Sequence, residues 1–522
     1  MTDFQRNTPN LVKTTAALPA AQQHKTLGLT GVTIHAMALI APGALMWLLY
    51  QAQATSGIDG AVAIWPGVLC ALLVAILTSL TLGELMRQYP DAGMKGAFQF
   101  FAPVFREKVW ARKNGWVQAI KILTGWSANL YYWIYPGLIV AFTGVLADYL
   151  LRHFGYHPTV FGQLILTFSF SALIGFLALR GISGSTTSSV VINVIQLAML
   201  VTFGIAAVIF RWQNPLQLAA ANWVQPDAIS IILPKSLTSA LFQAALAMAL
   251  MVGFEEASAL RTVANNPGRD IPRATVLALL IQGALAYLLG YFAAGLAINT
   301  NQVANPTGLT GMAILAQSRI PIGDLVLQLG DSLLSGNGGT LLLAMSFSIF
   351  IALLGSALTA MNTSVRVSFS MELDPDMPSV VSFLPARHAT PYGIVVLLAL
   401  VSALIGSLGT VGGLTVLMSL ILSVNLGAFI LYGLLCFISL AAFKRAADYN
   451  LIRHGFLPAL GGIVNIGLAV VFPIIGLTAG GQLAQVSMLT LVISTAWIVI
   501  CTSYFLLVKK GANKRSIGNI GH

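Results

Sequence analysis

The sequence predicts an all-α integral membrane protein of twelve transmembrane helices. They are arranged as a five-plus-five inverted repeat with discontinuous helices one and six, followed by two peripheral helices. Three observations lead there. Of 522 residues, 57% are hydrophobic and 8% charged, whereas a soluble domain carries about 25% charged residues. Apolar runs long enough to cross ~30 Å of hydrocarbon recur along the whole chain. Two of these runs, the first and the sixth, are interrupted near their middles, by Ala41-Pro42-Gly43 and by Val252-Gly253-Phe254-Glu255. Five spans separate the two starts, so the halves face opposite ways, and paired Gly/Pro-broken segments point to a transporter built on an inverted repeat.

The runs centre on 29–52, 62–86, 116–150, 161–180, 186–210, 237–260, 274–298, 339–370, 392–407, 413–439, 459–478 and 485–508. The third and eighth exceed what lipid requires. The ninth is short and gives way to a turn between Gly406 and Gly413. The chain divides into a tail at 1–26, a first repeat at 27–210 and an extracellular loop at 211–235. A second repeat follows at 236–439, then a cytoplasmic loop and two spans at 440–508 and a tail at 509–522. Met1 to Thr26 is polar and has no apolar core ending in a small-residue cleavage site, so it reads as a retained tail. The loop 87–115 is basic, and its apolar stretch Ala97 to Phe105 suits a short helix along the interface. The loop 299–336 is rich in Gly and Pro and is expected to hold one or two short helices.

Charge sets the orientation. Of 27 basic residues, only Arg152, Arg211, Lys235 and Arg319 fall on one side of this arrangement, so the positive-inside rule puts both termini in the cytoplasm of a plasma-membrane protein. An even number of spans requires both ends on one side, and count and charge agree. The formal charge of +11 is spread over short loops and tails, which argues against nucleic acid. Cys70, Cys436 and Cys501 lie in apolar spans and suggest neither a disulfide framework nor a metal site. No phosphate-binding loop, zinc-helix motif or nucleophile elbow stands in a suitable context, so no cofactor and no catalysis are expected.

The candidate site lies at the two breaks. In the first, the chain around Ile40, Ala41 and Pro42 ends one half-helix, and the amides of Gly43, Ala44 and Leu45 start the next at its positive dipole end, which suits a carboxylate. An ordinary proline kink is the alternative. In the second, Val252, Gly253, Phe254 and Glu255 interrupt an apolar segment, and acids at such depth usually line a cavity. Glu255 and Glu256 differ by ~100° of helix rotation and cannot both face it. One binds an amine or carries a proton; the other pairs with Arg261 or sits near the cytoplasmic surface. The competing reading makes both of them structural ion pairs at the cytoplasmic mouth. His35, before the first break, is either a packing residue or a coupling group. Tyr132, within the aromatic run of span three, is expected to line the cavity. Hydroxyls and amides in spans eight and ten commonly join helices.

Val252-Gly253-Phe254-Glu255, followed by Asn266-Pro267-Gly268-Arg269-Asp270-Ile271-Pro272-Arg273-Ala274, resembles the amino acid–polyamine–organocation permeases. That family carries a G-F-[DE] break and an N-P-x-[RK]-x-[IV]-P-R-A turn in this place. Gly83-Glu84-Leu85 with Tyr89-Pro90 and Ala92-Gly93, and Asn362, Arg366 and Thr390-Pro391, are similar to its second and eighth spans and the turn into its ninth. The resemblance implies substrate held between broken helices one and six, and secondary transport of an amino acid or related amine by alternating access, driven by protons or run as exchange. Arg261-Thr262-Val263 replaces an acidic pair common in the family. Gln196 stands where proton-coupled members can carry a lysine, which leaves Glu255, Glu256 or His35 to carry the proton. A polyamine importer, an amino acid–amine exchanger and a transporter-like nutrient sensor are the other readings. The partners implied are a small-molecule amino acid or amine, protons and the lipid bilayer; the sequence leaves substrate, flux direction and oligomeric state open.

Overall fold

The computed structural model describes residues 27–40, 43–56, 63–89, 100, 104, 115–180, 186–213, 231–234, 236–298, 318–372, 391–444 and 446–518. Among them the chain is helical, without strands. The elements are α1 (Leu29–Ile40), α2 (Ala44–Ala54), α3 (Ile64–Gln88), α4 (Gly115–His153), α5 (Val160–Leu179), α6 (Thr186–Gln213) and α7 (Leu237–Ala247). After α7 come two 3₁₀ turns, Met248–Leu250 and Phe254–Thr262. Then follow α8 (Pro267–Leu280), a π-helical segment (Ile281–Leu288), α9 (Leu289–Ile298), α10 (Pro321–Leu333), α11 (Gly338–Glu372), α12 (Pro391–Val411), α13 (Gly413–Phe443), a second π segment (Leu451–Phe456), α14 (Leu457–Ala479) and α15 (Gly481–Gly518).

Among the described residues eleven helical stretches are long and apolar enough to cross a membrane. In hydrocarbon every backbone polar group must be satisfied within the chain, which is why such runs become helices. The pair α1 and α2 is not among the eleven: its members have 12 and 11 residues, each too short alone at 1.5 Å per residue. The expected interruption of the first run is therefore present as two separate helices. Ala41 and Pro42 lie outside the described residues, as does nearly all of Ala97 to Phe105.

Helix α4 is the central post. It packs against α5, α11, α12 and α13, while α3 packs against α7, α8 and α14. Its 25 buried positions include Trp126, Asn129, Tyr131, Tyr132, Trp133 and Tyr135, so the aromatic run of span three faces protein. One boundary differs from expectation. Helix α12 continues through Gly406 and Gly409 to Val411, and the turn is confined to Gly412 and Gly413, where φ is +72° at Gly413. Those two glycines serve contact with α4. A Cβ on Gly406 would lie 2.4 Å from Val140 Cγ1 and one on Gly409 2.7 Å from the Ala141 Cβ.

At one end of the bundle α10 is tied to α4. Tyr149 donates to Asp324 at 2.7 Å, and buried Asp148 takes Arg152, Arg319 and the Gln163 amide. Helix α10 fulfils the expectation of a short helix within 299–336, and 299–317 lies outside the described residues. At the opposite end the chain entering α1 is stitched to the chain leaving the second 3₁₀ turn. Leu27 donates to the Val263 carbonyl at 3.0 Å, and Asn265 donates to the Leu27 carbonyl at 2.8 Å.

Candidate functional site

Both breaks turn on glycine. Gly43 has φ +90° and Gly253 φ +110°, a region where a Cβ costs roughly 1–2 kcal/mol. Gly43 is the N-cap of α2 and makes no side-chain cap, and among the described residues no side chain accepts from the amides of Ala44 or Leu45, two of the donors a helix start leaves open. Its nearest wall is apolar: a Cβ there would sit 2.7 Å from Leu200 Cδ1. The space around it, between Trp47, Leu200, Met345 and Ile349, is ≈ 10 Å³, roughly room for one water. Ala44 and Leu45 are buried there. The backbone of Ile40 ends α1; Ala41 and Pro42 fall in the two undescribed positions. The π segment brings Tyr287 to this point, where its hydroxyl meets the Gly43 backbone N–H.

The second break begins where α7 gives way to a 3₁₀ turn. Asn425 of α13 donates to the carbonyls of Ala245 at 2.7 Å and Leu246 at 3.3 Å. Val252 and Phe254 are fully buried, and Phe254 lies against Tyr432 with ring centroids 5.4 Å apart. The break meets the first one directly. Helix α2 packs on Met248–Leu250, and α1 packs on Phe254–Thr262.

The two glutamates part company here. A 3₁₀ helix turns about 120° per residue, which sends neighbouring side chains to different helices. Glu255 is buried and accepts from Tyr432 at 2.7 Å, from Tyr132 at 3.3 Å and from the Gly253 N–H at 3.1 Å. No cationic side chain among the described residues lies within ion-pair distance of it. Glu256 turns to α11, where it accepts from Thr363 at 2.9 Å and pairs with Arg366. The ion-pair partner found is thus Arg366, on another helix, and not Arg261. One glutamate has a structural ion pair, as the competing reading required of both; the other does not.

His35 on α1 is half-buried, within electrostatic reach of Glu256. Its Nδ1 has no hydrogen-bond partner among the described residues. Gln196 of α6 donates to the Ser348 carbonyl and, at 3.3 Å, to its Oγ. It lines the small space at Gly43, and neighbouring Asn193 holds the Ile34 carbonyl of α1 at 2.8 Å. So Tyr132 and Glu255 come together, Gln196 and Gly43 come together, and His35 stands nearer Glu256.

Tyr432 and Tyr287 escaped sequence reasoning. Each is an aromatic in an apolar helix, indistinguishable there from a packing residue. Thr363 and Arg366 were visible as polar residues of span eight, without any sign of what they bind.

The family model for amino acid permeases matches residues 31–454, most of the chain, and the chain belongs to that family. It is also 23% identical over 189 residues to the branched-chain amino acid permease BcaP of Bacillus subtilis (strain 168). That alignment covers 36% of this chain and 36% of the relative, so the chain spans about a third of the length of the curated relative it matches.

Proposed function

We propose, starting from membership of the amino acid permease family, that this chain is a secondary active transporter importing an amino acid across the cytoplasmic membrane by alternating access. The observation that carries this reading is the pair of glycine-centred breaks facing each other within the bundle, one offering uncapped amides and the other a buried carboxylate without a cation. In this reading α1 and α2 form a twelfth span, the two five-span halves are an inverted repeat, and both termini are cytoplasmic.

The substrate carboxylate meets the amides of Gly43, Ala44 and Leu45, where the dipole of α2 favours an anion. Its ammonium meets carbonyls freed where spans one and six are interrupted, with Glu255 the nearest charge. Trp47, Leu200 and Phe254 give an apolar wall, which fits the branched side chain named for the relative. Proton coupling falls to Glu255. Tyr132, Tyr432 and the Gly253 N–H donate to its two oxygens, and adding a proton removes the charge assistance of those bonds, which weakens the hold of the break on α4 and α13. Exchange is the second reading. It is favoured by Gln196, whose amide cannot carry a proton and is already bonded to Ser348.

The test is uptake of labelled leucine into proteoliposomes with and without an inward proton gradient, with other amino acids and a polyamine as competitors. Gradient-dependent accumulation that Glu255→Gln abolishes is the expected result. Flux that ignores the gradient and needs internal amino acid gives the exchanger, and competition by the polyamine alone overturns the amino acid assignment.

A further inference from the structure

Away from the two breaks, at the end of the bundle where α3 finishes and α8 begins, there is an open cavity of ≈ 750 Å³. Four arginines line it: Arg87, Arg269, Arg273 and Arg453. Arg87 is already engaged by Glu84 and by Asp448, at 2.9 and 3.2 Å. Its guanidinium holds the exposed Asp448 carboxyl below the usual carboxylate range. Glu84 also has His454 Nε2 at 3.8 Å. Asp270, in the first turn of α8, is buried and accepts from the Asn266 N–H at 3.3 Å. Among the described residues no carboxylate lies within ion-pair distance of Arg269, Arg273 or Arg453, and all three are exposed.

Three guanidiniums line one cavity without a carboxylate partner among the described residues, which favours an anion there, and guanidinium forks suit phosphate oxygens in bidentate geometry. The amide end of α8 opens into the same space. Asn266 gives it no side-chain cap, and Gly268 has no heavy atom within 4 Å of where a Cβ would stand. The other wall is apolar and outward-facing. Leu80 of α3 and Leu277 of α8, both cavity-lining, are among the large hydrophobics the bundle leaves exposed. A basic mouth over an apolar groove at the edge of membrane-spanning helices is the form of a phospholipid site.

We infer that this cavity binds an anionic phospholipid, its phosphodiester held by Arg269, Arg273 and Arg453 and its acyl chains lying along Leu80 and Leu277. The inference rests on the membrane spans and not on the transport reading. Binding here clamps α3, α8 and α14 together, since each supplies part of the cavity or its rim.

The purified full chain in detergent is titrated with phosphatidylglycerol, phosphatidylcholine, glycerol phosphate and inorganic phosphate. Retained lipid is followed by native mass spectrometry and melting temperature by thermal shift. Phosphatidylglycerol is expected to bind at least tenfold tighter than phosphatidylcholine and to raise the melting temperature, with the soluble anions ineffective. Combining Arg269→Gln, Arg273→Gln and Arg453→Gln should remove that preference. The same three positions changed to Lys should keep most of it, and Arg180→Gln on the end of α5 should leave it intact. Equal binding of the two lipids overturns the proposal, as does a preference that survives the triple Gln variant. Soluble phosphate matching phosphatidylglycerol would make this a soluble-anion site and overturn the lipid assignment.

Discussion

At the first break, Gly43 is walled by Leu200, Trp47 and Met345, and the polar side chains close by among the described residues are Tyr287 and the amide of Gln196 with its Ser348 partner. At the second, Gly253 gives its N–H to Glu255, and two tyrosines from α4 and α13 complete the shell. Both glycines have a positive φ, so the main difference lies in what surrounds them. One break presents backbone donors to an apolar space; the other presents a charge held by side chains. A zwitterion with an apolar side chain needs both kinds of surface. Neither break alone selects one.

The sharpest way to break this contrast is Glu255→Gln. Losing a charge-assisted contact of ~3 kcal/mol should lower gradient-driven uptake about a hundredfold in proteoliposomes. Since Glu255 has no cation partner among the described residues, the melting temperature should hold or rise. A fall in melting temperature with uptake intact would make Glu255 structural, like its neighbour.

Next in size is Gly43→Ala. Left-handed strain of about 1–2 kcal/mol adds to overpacking against Leu200 of about 1–3 kcal/mol. Thermal denaturation should show a loss of several degrees, and adding Leu200→Ala should recover the overpacking part and not the strain. Gly253→Ala carries the same left-handed strain, and Leu200→Ala should recover none of its loss. Equal losses at the two glycines, unmoved by Leu200→Ala, would erase the distinction between the breaks.

Tyr432→Phe comes third. It removes the shortest bond to Glu255 and should weaken apparent substrate affinity or coupling by about tenfold, at ~1.5 kcal/mol. Tyr132→Phe, losing a 3.3 Å bond, should do less. The smallest effect belongs to Glu256→Gln. Its Arg366 partner is one-third exposed, where solvent screening reduces an ion pair to about 1 kcal/mol or less. Uptake should stay within a few-fold of wild type. A hundredfold loss there would exchange the roles assigned to the two glutamates.

The helical architecture and both breaks were legible because they depend on local signals: apolar length, and Gly or Pro where a helix must stop. That Glu255 and Glu256 diverge was legible too, from helical rotation alone. Which partner each would find was not. Arg261 was one expected partner for whichever glutamate turned from the cavity, and the partner found for Glu256 lies 110 positions away on α11, a pairing fixed by how the helices pack. Tyr432 was hidden for a like reason: a tyrosine among leucines and phenylalanines shows its hydroxyl's role only once a carboxylate from another helix faces it. The turn placed between Gly406 and Gly413 erred because glycine serves two purposes. At Gly413 it permits a left-handed turn, and at Gly406 and Gly409 it lets α4 come close.

The stitch of Leu27 to Val263 and Asn265 bears on how often this end of the molecule opens. It consists of two backbone hydrogen bonds, each contributing about 1 kcal/mol net. If nothing else held the ends, separation would cost ~2 kcal/mol, and a few molecules in a hundred would be unzipped at any moment. A contact that weak adds little to the packing of α1 on Phe254–Thr262. It joins the chain entering α1 to the chain leaving the second break, so opening this end parts the stitch and that packing together.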